Sequence, residues 1–283
     1  MSPVPSAAAA GLADRWRLAL SSAPRGGIAG ARLGRGTGAS LEFEDRRSYV
    51  AGDDVRHLDW RAFARTGELM IKLHREEIAP RVEVLLDGSR SMAAGGAKSM
   101  LAVDLCALLL RCAGADGFAA ACILAGEACE PIALERFERE GVEFEARARL
   151  GESLRGIGAL LRPGALRIVI SDFLFPHDAA ALLRTLRARA GALCVVQVLS
   201  AEDAAPVAGE ALRLIDSETG ETLDLVVDER GVQRYRERLQ RLTEALEQEA
   251  RRSGSQFVRI VADRSLEASC RDHLAPAGLL QPG

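Results

Sequence analysis

Aromatic residues are scarce in this 283-residue chain, at 4% of the total, with two Trp and two Tyr. Any core it forms is therefore aliphatic, drawn from Leu, Val, Ile and Ala. Histidine is almost as rare, with four copies. His57 and His74 lack a second ligand at useful spacing and read as packing or surface residues; neither His177 nor His273 stands in a recognisable catalytic setting. An excess of one charge is also missing: 37 basic and 40 acidic residues leave a net charge of −3. A nucleic-acid binder usually carries a basic excess, so no nucleic-acid partner is expected.

No C-x-x-C pair occurs among the six cysteines, Cys106, Cys112, Cys122, Cys129, Cys194 and Cys270. Most sit in apolar stretches and read as reduced, buried thiols of a cytosolic protein. No signal-peptide pattern opens the chain. No run approaches the roughly 18 apolar residues of a membrane span; the best, Leu101 to Ala115, is broken by Asp104 and Arg111. The expectation is a soluble, cytoplasmic protein without a membrane span. Enzyme signatures are missing as well. The nearest approach to a phosphate-binding loop, Gly95-Gly96-Ala97-Lys98-Ser99, has Ala97 and Met92 where glycines are required. Lys98 then reads as a surface residue early in a helix. No G-x-S-x-G elbow and no H-E-x-x-H helix is present.

What is present is 48% apolar residues, enough for a substantial core. Residues 1–40 read as an arm, with a short helix around Leu12 to Leu20, followed by a Gly-rich loop. Residues 41–80 read as a small irregular β-containing subdomain. Residues 81–283 read as an α/β domain. There the strands Val82 to Asp87, Phe118 to Leu124, Leu166 to Asp172, Leu193 to Leu199 and Gln256 to Val261 alternate with helices. A short edge strand is expected at Pro131 to Leu134, and one helix is expected over Leu150 to Leu161. Leu212 to Val227 reads as a hairpin turning at Glu218 to Glu221. Near-continuous apolar strands alternating with helices imply a Rossmann-like parallel sheet covered by helices on both faces.

Two of these strands end in an acid, Asp87 and Asp172, where ligands of open parallel sheets bind. Asp87 opens the string Asp87-Gly88-Ser89-Arg90-Ser91. Carboxylates and hydroxyls suit a hard divalent cation such as Mg²⁺ or Mn²⁺, which takes oxygen ligands and keeps open positions for water or a partner carboxylate. Gly88 allows a tight turn after the strand. This D-x-S-x-S loop resembles the metal-ion-dependent adhesion site of von Willebrand factor A domains. Ser153, after Gly151-Glu152, matches the third element of that pattern and Asp172 the fourth. The resemblance thus implies a von Willebrand factor A-type sheet and a metal set of Asp87, Ser89, Ser91, Ser153 and Asp172. The plainer alternative is that the serines cap helices and the aspartates hold backbone amides. Arg90 is expected among the partner-binding residues, where it either biases the metal loop or pairs with an acid nearby.

The segment before the sheet carries Glu42-Phe43, Arg47-x-Tyr49, Gly52-Asp53-Asp54-Val55-Arg56, Asp59-Trp60 and Ala64-Arg65-Thr66-Gly67. Together with Ile170-Ser171-Asp172-Phe173 and Leu212 to Glu221, it resembles the family called domain of unknown function 58. The resemblance runs from about residue 30 onward. It implies a von Willebrand factor A-type fold and a MoxR-type AAA+ ATPase as partner. Many relatives carry membrane helices, and this chain shows none. Two readings of Asp53, Asp54, Arg56, Asp59, Trp60 and Arg61 stay open: a partner-binding surface, or an Asp–Arg network anchored by Trp60. The functional expectation is a metal-dependent protein-binding adaptor in complex assembly or maturation, not an enzyme. The alternatives are a metal-dependent hydrolase using the same oxygens, or a metal-free interaction domain with a degenerate site.

Overall fold

The computed structural model describes residues 2–19, 43–50, 58–74, 81–94, 96–209, 211–215, 222–226 and 228–283. These fall into two compact units, one of residues 1–24 with 80–283 and one of residues 25–79.

In chain order the larger unit begins with α1 (Ala7–Ala13) and β1 (Trp16–Leu18). The helix expected around Leu12 to Leu20 lies earlier than the sequence suggests. The reason is an anchor: the Ser6 amide and hydroxyl both donate to Asp104, at 2.6 and 2.9 Å. Ala9, Leu12 and Ala13 are thereby buried in the core. The smaller unit contains β2 (Phe43–Ser48), α2 (Trp60–Thr66) and β3 (Met70–His74), with β2 and β3 paired antiparallel.

The larger unit continues with β4 (Arg81–Asp87), α3 (Ala97–Ala115), β5 (Ala119–Ala125), β6 (Cys129–Ile132) and α4 (Leu134–Glu140). After α5 (Leu150–Ser153) come β7 (Leu166–Ser171), α6 (Ala179–Arg187), β8 (Ala192–Leu199) and α7 (Ala201–Ala204). The antiparallel pair β9 (Ala211–Ile215) and β10 (Thr222–Val226) forms the expected hairpin, whose turn lies outside the described residues. Last are α8 (Glu229–Arg252), β11 (Gln256–Val261), α9 (Leu266–Ser269) and β12 (Leu280–Pro282). The single helix expected over 150–161 is two short pieces, because Gly156 adopts a left-handed φ of 82° between them.

Six strands form one sheet in the order β11-β8-β7-β4-β5-β6. All neighbours are parallel except β6, an antiparallel edge strand. The mixed α/β class and the parallel sheet therefore match the sequence reading. Strand side chains alternate between faces. Val82, Val84 and Leu86 pack with α1, α3 and α9 residues on one side. Leu85, Val169 and Val195 pack with α5, α6 and α8 on the other. Glu83 and Arg167, on the second face, are fully buried opposite each other on β4 and β7. The central place of β4 and β7 puts the ends of both strands, Asp87 and Ser171-Asp172, side by side.

The six cysteines are free thiols, all buried but the half-buried Cys129. Among the described residues no helix is long and apolar enough to cross a membrane.

Candidate metal centre at the central strand ends

Strand parity sends Asp87 and Ser171 to the same face. Ser171 Oγ donates to Asp87 Oδ2 at 2.5 Å, and the Ser89 amide donates to Oδ1 at 2.9 Å. Asp87 is completely buried. Burial, and next the charge of Asp172, push its carboxyl up to about 6 from 3.8, against the hydrogen bonds that lower it. Among the described residues no ion pair includes Asp87. A buried carboxylate facing a second carboxylate with no cation of its own favours binding one.

The two loop serines converge, with Ser89 Oγ and Ser91 Oγ 3.0 Å apart. Ser89 sits at the start of the turn Arg90–Ala93, yet its hydroxyl makes no capping bond there. Capping therefore does not account for Ser89. Gly88 is needed for close approach, not for an unusual φ: a Cβ there would lie 3.1 Å from the Ala125 carbonyl oxygen on β5. Arg90 donates through Nε to the Glu145 carbonyl at 3.0 Å.

Ser153, on α5, is buried beside the end of β5. Its hydroxyl donates to the Gly126 carbonyl at 2.5 Å, with the Arg149 carbonyl at 3.3 Å. That bond uses its proton and leaves oxygen lone pairs available. No hydrogen bond among the described residues joins Ser153 to the Ser89–Ser91 pair.

Asp172 is fully buried at the end of β7. Its Oδ1 accepts from the Leu174 amide at 3.0 Å, while Phe173 N donates to Ser171 Oγ at 3.0 Å. Between them Phe173 holds a left-handed φ of 56°, a region unfavourable for a bulky residue. Strain of this kind gathers where surrounding structure fixes a functional group; here it accompanies the aim of Asp172.

Asp172 Oδ2 accepts from Lys98 Nζ at 2.9 Å, and the same ammonium donates to Asp203 Oδ2 at 2.9 Å. Lys98 is only 1% exposed, so the surface assignment of the sequence reading is corrected. Burial alone would lower its pKa; Asp172 and Asp203 outweigh that and hold the ammonium above its usual 10.5. Asp203 is set in place by a reciprocal cap with Ser200 on α7, each amide donating to the other side chain at 3.0 Å. Sequence reasoning missed Lys98, Asp203 and Ser171. The Ser200-x-x-Asp203 pattern is a capping-box signal that could have located Asp203.

Carboxylate and hydroxyl oxygens are the donor type a hard divalent cation takes, although among the described residues no three His, Cys, Asp or Glu side chains gather into a metal-binding group. Asp87, Ser89 and Ser91 offer oxygen ligands on one loop, with Ser153 and Asp172 on neighbouring elements. A groove of about 390 Å³ opens beside Gly88, lined by Glu127, Glu130, Glu143 and Glu145. In the smaller unit Asp59 caps α2, accepting from the Arg61 and Ala62 amides, each at 3.1 Å. Trp60 is 61% exposed and meets Phe63 edge-on at 6.4 Å. It is therefore not the buried anchor of a polar network. Asp53, Asp54 and Arg56 lie outside the described residues.

A family model described as "Protein of unknown function DUF58" matches residues 45–251. No curated protein matches the chain. Among solved structures, the chain is similar to the conserved hypothetical protein BatB from Bacteroides thetaiotaomicron, at 18% identity and a TM-score of 0.42. That match covers 68% of this chain and 95% of the other. A second is an aerotolerance-related membrane protein from Bacteroides fragilis NCTC 9343 carrying multiple mutations to serines. It is 16% identical with a TM-score of 0.44, over 70% of this chain and 98% of that one.

Proposed function

We propose that this chain, which belongs to the DUF58 family, is a von Willebrand factor A-type protein-binding module working through a divalent cation. Asp87, Ser89, Ser91, Ser153 and Asp172 would hold Mg²⁺ or Mn²⁺. The observation that carries the reading is the pairing of two converging hydroxyls, Ser89 and Ser91, with a buried Asp87 that forms no ion pair among the described residues. When bound, the ion supplies an open coordination position that a carboxylate of a protein partner can fill. The chain's own contribution is to fix the oxygens. Ser171 and the Ser89 amide orient Asp87, and the Asp172–Lys98 contact holds the far side.

The glutamates of the neighbouring groove select the surroundings of that partner carboxylate. Basic side chains flanking it would meet Glu127, Glu130, Glu143 and Glu145. The partner we propose is a MoxR-type AAA+ ATPase, with this chain as a cytoplasmic adaptor in complex assembly or maturation. The test is direct binding of the two purified proteins. Mg²⁺ should support it, and EDTA or Asp87→Ala should abolish it. Binding indifferent to both treatments rejects the metal-dependent reading.

A further inference from the structure

We propose that Lys98 sets the charge of this centre, so that it selects a divalent ion over ions of other valence. The inference rests on the metal-binding reading above and concerns a residue that the D-x-S-x-S pattern does not contain. Lys98 reaches from the first turn of α3 to Asp172 Oδ2 and Asp203 Oδ2, each at 2.9 Å, with its side chain 1% exposed. Asp203 is pinned by the Ser200 cap. Its role here is to fix the ammonium, not to face the loop serines.

The charge count follows. Within the cluster itself, setting aside the solvent-facing glutamates of the neighbouring groove, Asp87, Asp172 and Asp203 bring three negative charges, and Lys98 removes one, leaving two. A divalent cation closes that balance to zero. A trivalent ion leaves one positive charge and a monovalent ion one negative charge, each in surroundings where Asp87, Lys98 and Asp172 are all buried. Leftover charge is costly where water is excluded. Lys98 is thus a positioning residue for Asp172 and, through its fixed charge, a determinant of ion selectivity.

The experiment is calorimetric titration of the whole chain with MgCl₂ and with LaCl₃, counting only binding lost in Ser89→Ala/Ser91→Ala. Asp203→Asn takes the count to one negative charge, and the La³⁺-to-Mg²⁺ affinity ratio should fall roughly tenfold. Lys98→Met takes it to three, and the ratio should rise by a similar factor. Lys98→Met/Asp203→Asn restores two without restoring any Lys98 contact, and the wild-type ratio should return. A purely structural role for Lys98 would not produce that return. If Lys98→Met fails to fold, Asp203→Asn and the double variant decide. A ratio constant across the folded variants, in a chain that binds Mg²⁺, overturns the role of Lys98. Wild-type protein that binds neither ion overturns the metal-binding reading itself.

Discussion

Ser171 Oγ donates to Asp87 Oδ2 at 2.5 Å across the ends of β7 and β4, and the next residue, Asp172, is the charge that most disfavours ionisation of that same carboxylate. One strand end thus both steadies Asp87 and loads it. The arrangement disfavours the ionised carboxylate, and a cation placed beside Asp87 would relieve it.

A raised carboxyl pKa has a defined sign for stability. Between 3.8 and about 6 the folded chain holds a proton on Asp87 that the unfolded chain has lost. Metal-free stability therefore declines as pH rises through that window, by about 3 kcal/mol as an order of magnitude. Asp87→Asn removes the ionisation. In EDTA near neutral pH it should raise stability by roughly 1 to 3 kcal/mol, less whatever the changed hydrogen bonds cost. Urea unfolding in EDTA, wild type against variant at pH 4 and pH 7.5, measures this. The variant's advantage should appear at the higher pH only.

His177 makes the opposite prediction on the same axis. Burial lowers its pKa below 6.5, against the Phe175 carbonyl and Asp178, which raise it. Nδ1 lies 2.7 Å from the Phe175 carbonyl oxygen, which can only accept, so Nδ1 carries the proton of the neutral ring. The folded state then binds fewer protons here than the unfolded state. The stability due to His177 is present above pH 6.5 and is lost as pH falls through the lowered folded value. His177→Gln should flatten that part of the stability profile, followed by thermal melting from pH 7.5 to 5.

Glu83 and Arg167 form the strongest structural test away from the site. Both side chains are fully buried, Arg167 Nη2 lies 3.1 Å from Glu83 Oε2, and the Arg162 amide donates to Oε1 at 2.7 Å. Arg167 Nη1 also donates to the Leu186 and Ala188 carbonyls at the end of α6. Arg167→Met leaves the buried Glu83 carboxylate with Arg81 Nε, at 3.6 Å, as its remaining cation, so the change should cost about 2 to 4 kcal/mol. Glu83→Leu/Arg167→Met should recover much of that loss. Denaturant midpoints of the single and double variants check both statements.

The sheet was legible because β4, β7, β8 and β11 read as short apolar runs spaced by helices, and Asp87 and Asp172 stand where two of those runs end. The edge strand was displaced to Cys129–Ile132 and the 150–161 helix was split, since such boundaries depend on pairing and on Gly156. Lys98 was misread because a lysine after a Gly-rich turn usually faces water. Only the tertiary approach of Asp172 and Asp203 makes its burial tolerable. Glu83 and Arg167 hid inside apolar strands; their signal was opposite charges that become neighbours once β4 and β7 pair in register. Trp60 reads from the sequence as the anchor of an Asp–Arg network, but on α2 it is mostly exposed.

The claim on which the account turns is that the Asp87 loop holds a divalent cation. The most direct measurement is the thermal midpoint of the metal-free chain as Mg²⁺ or Mn²⁺ is added, beside Ser89→Ala/Ser91→Ala. With a cation held by the loop, the midpoint climbs with the logarithm of ion concentration, gaining about 2.7 kcal/mol of stability at a hundred times Kd, and the variant's response is flat. A wild-type midpoint that does not move, or moves equally in the variant, would contradict that claim.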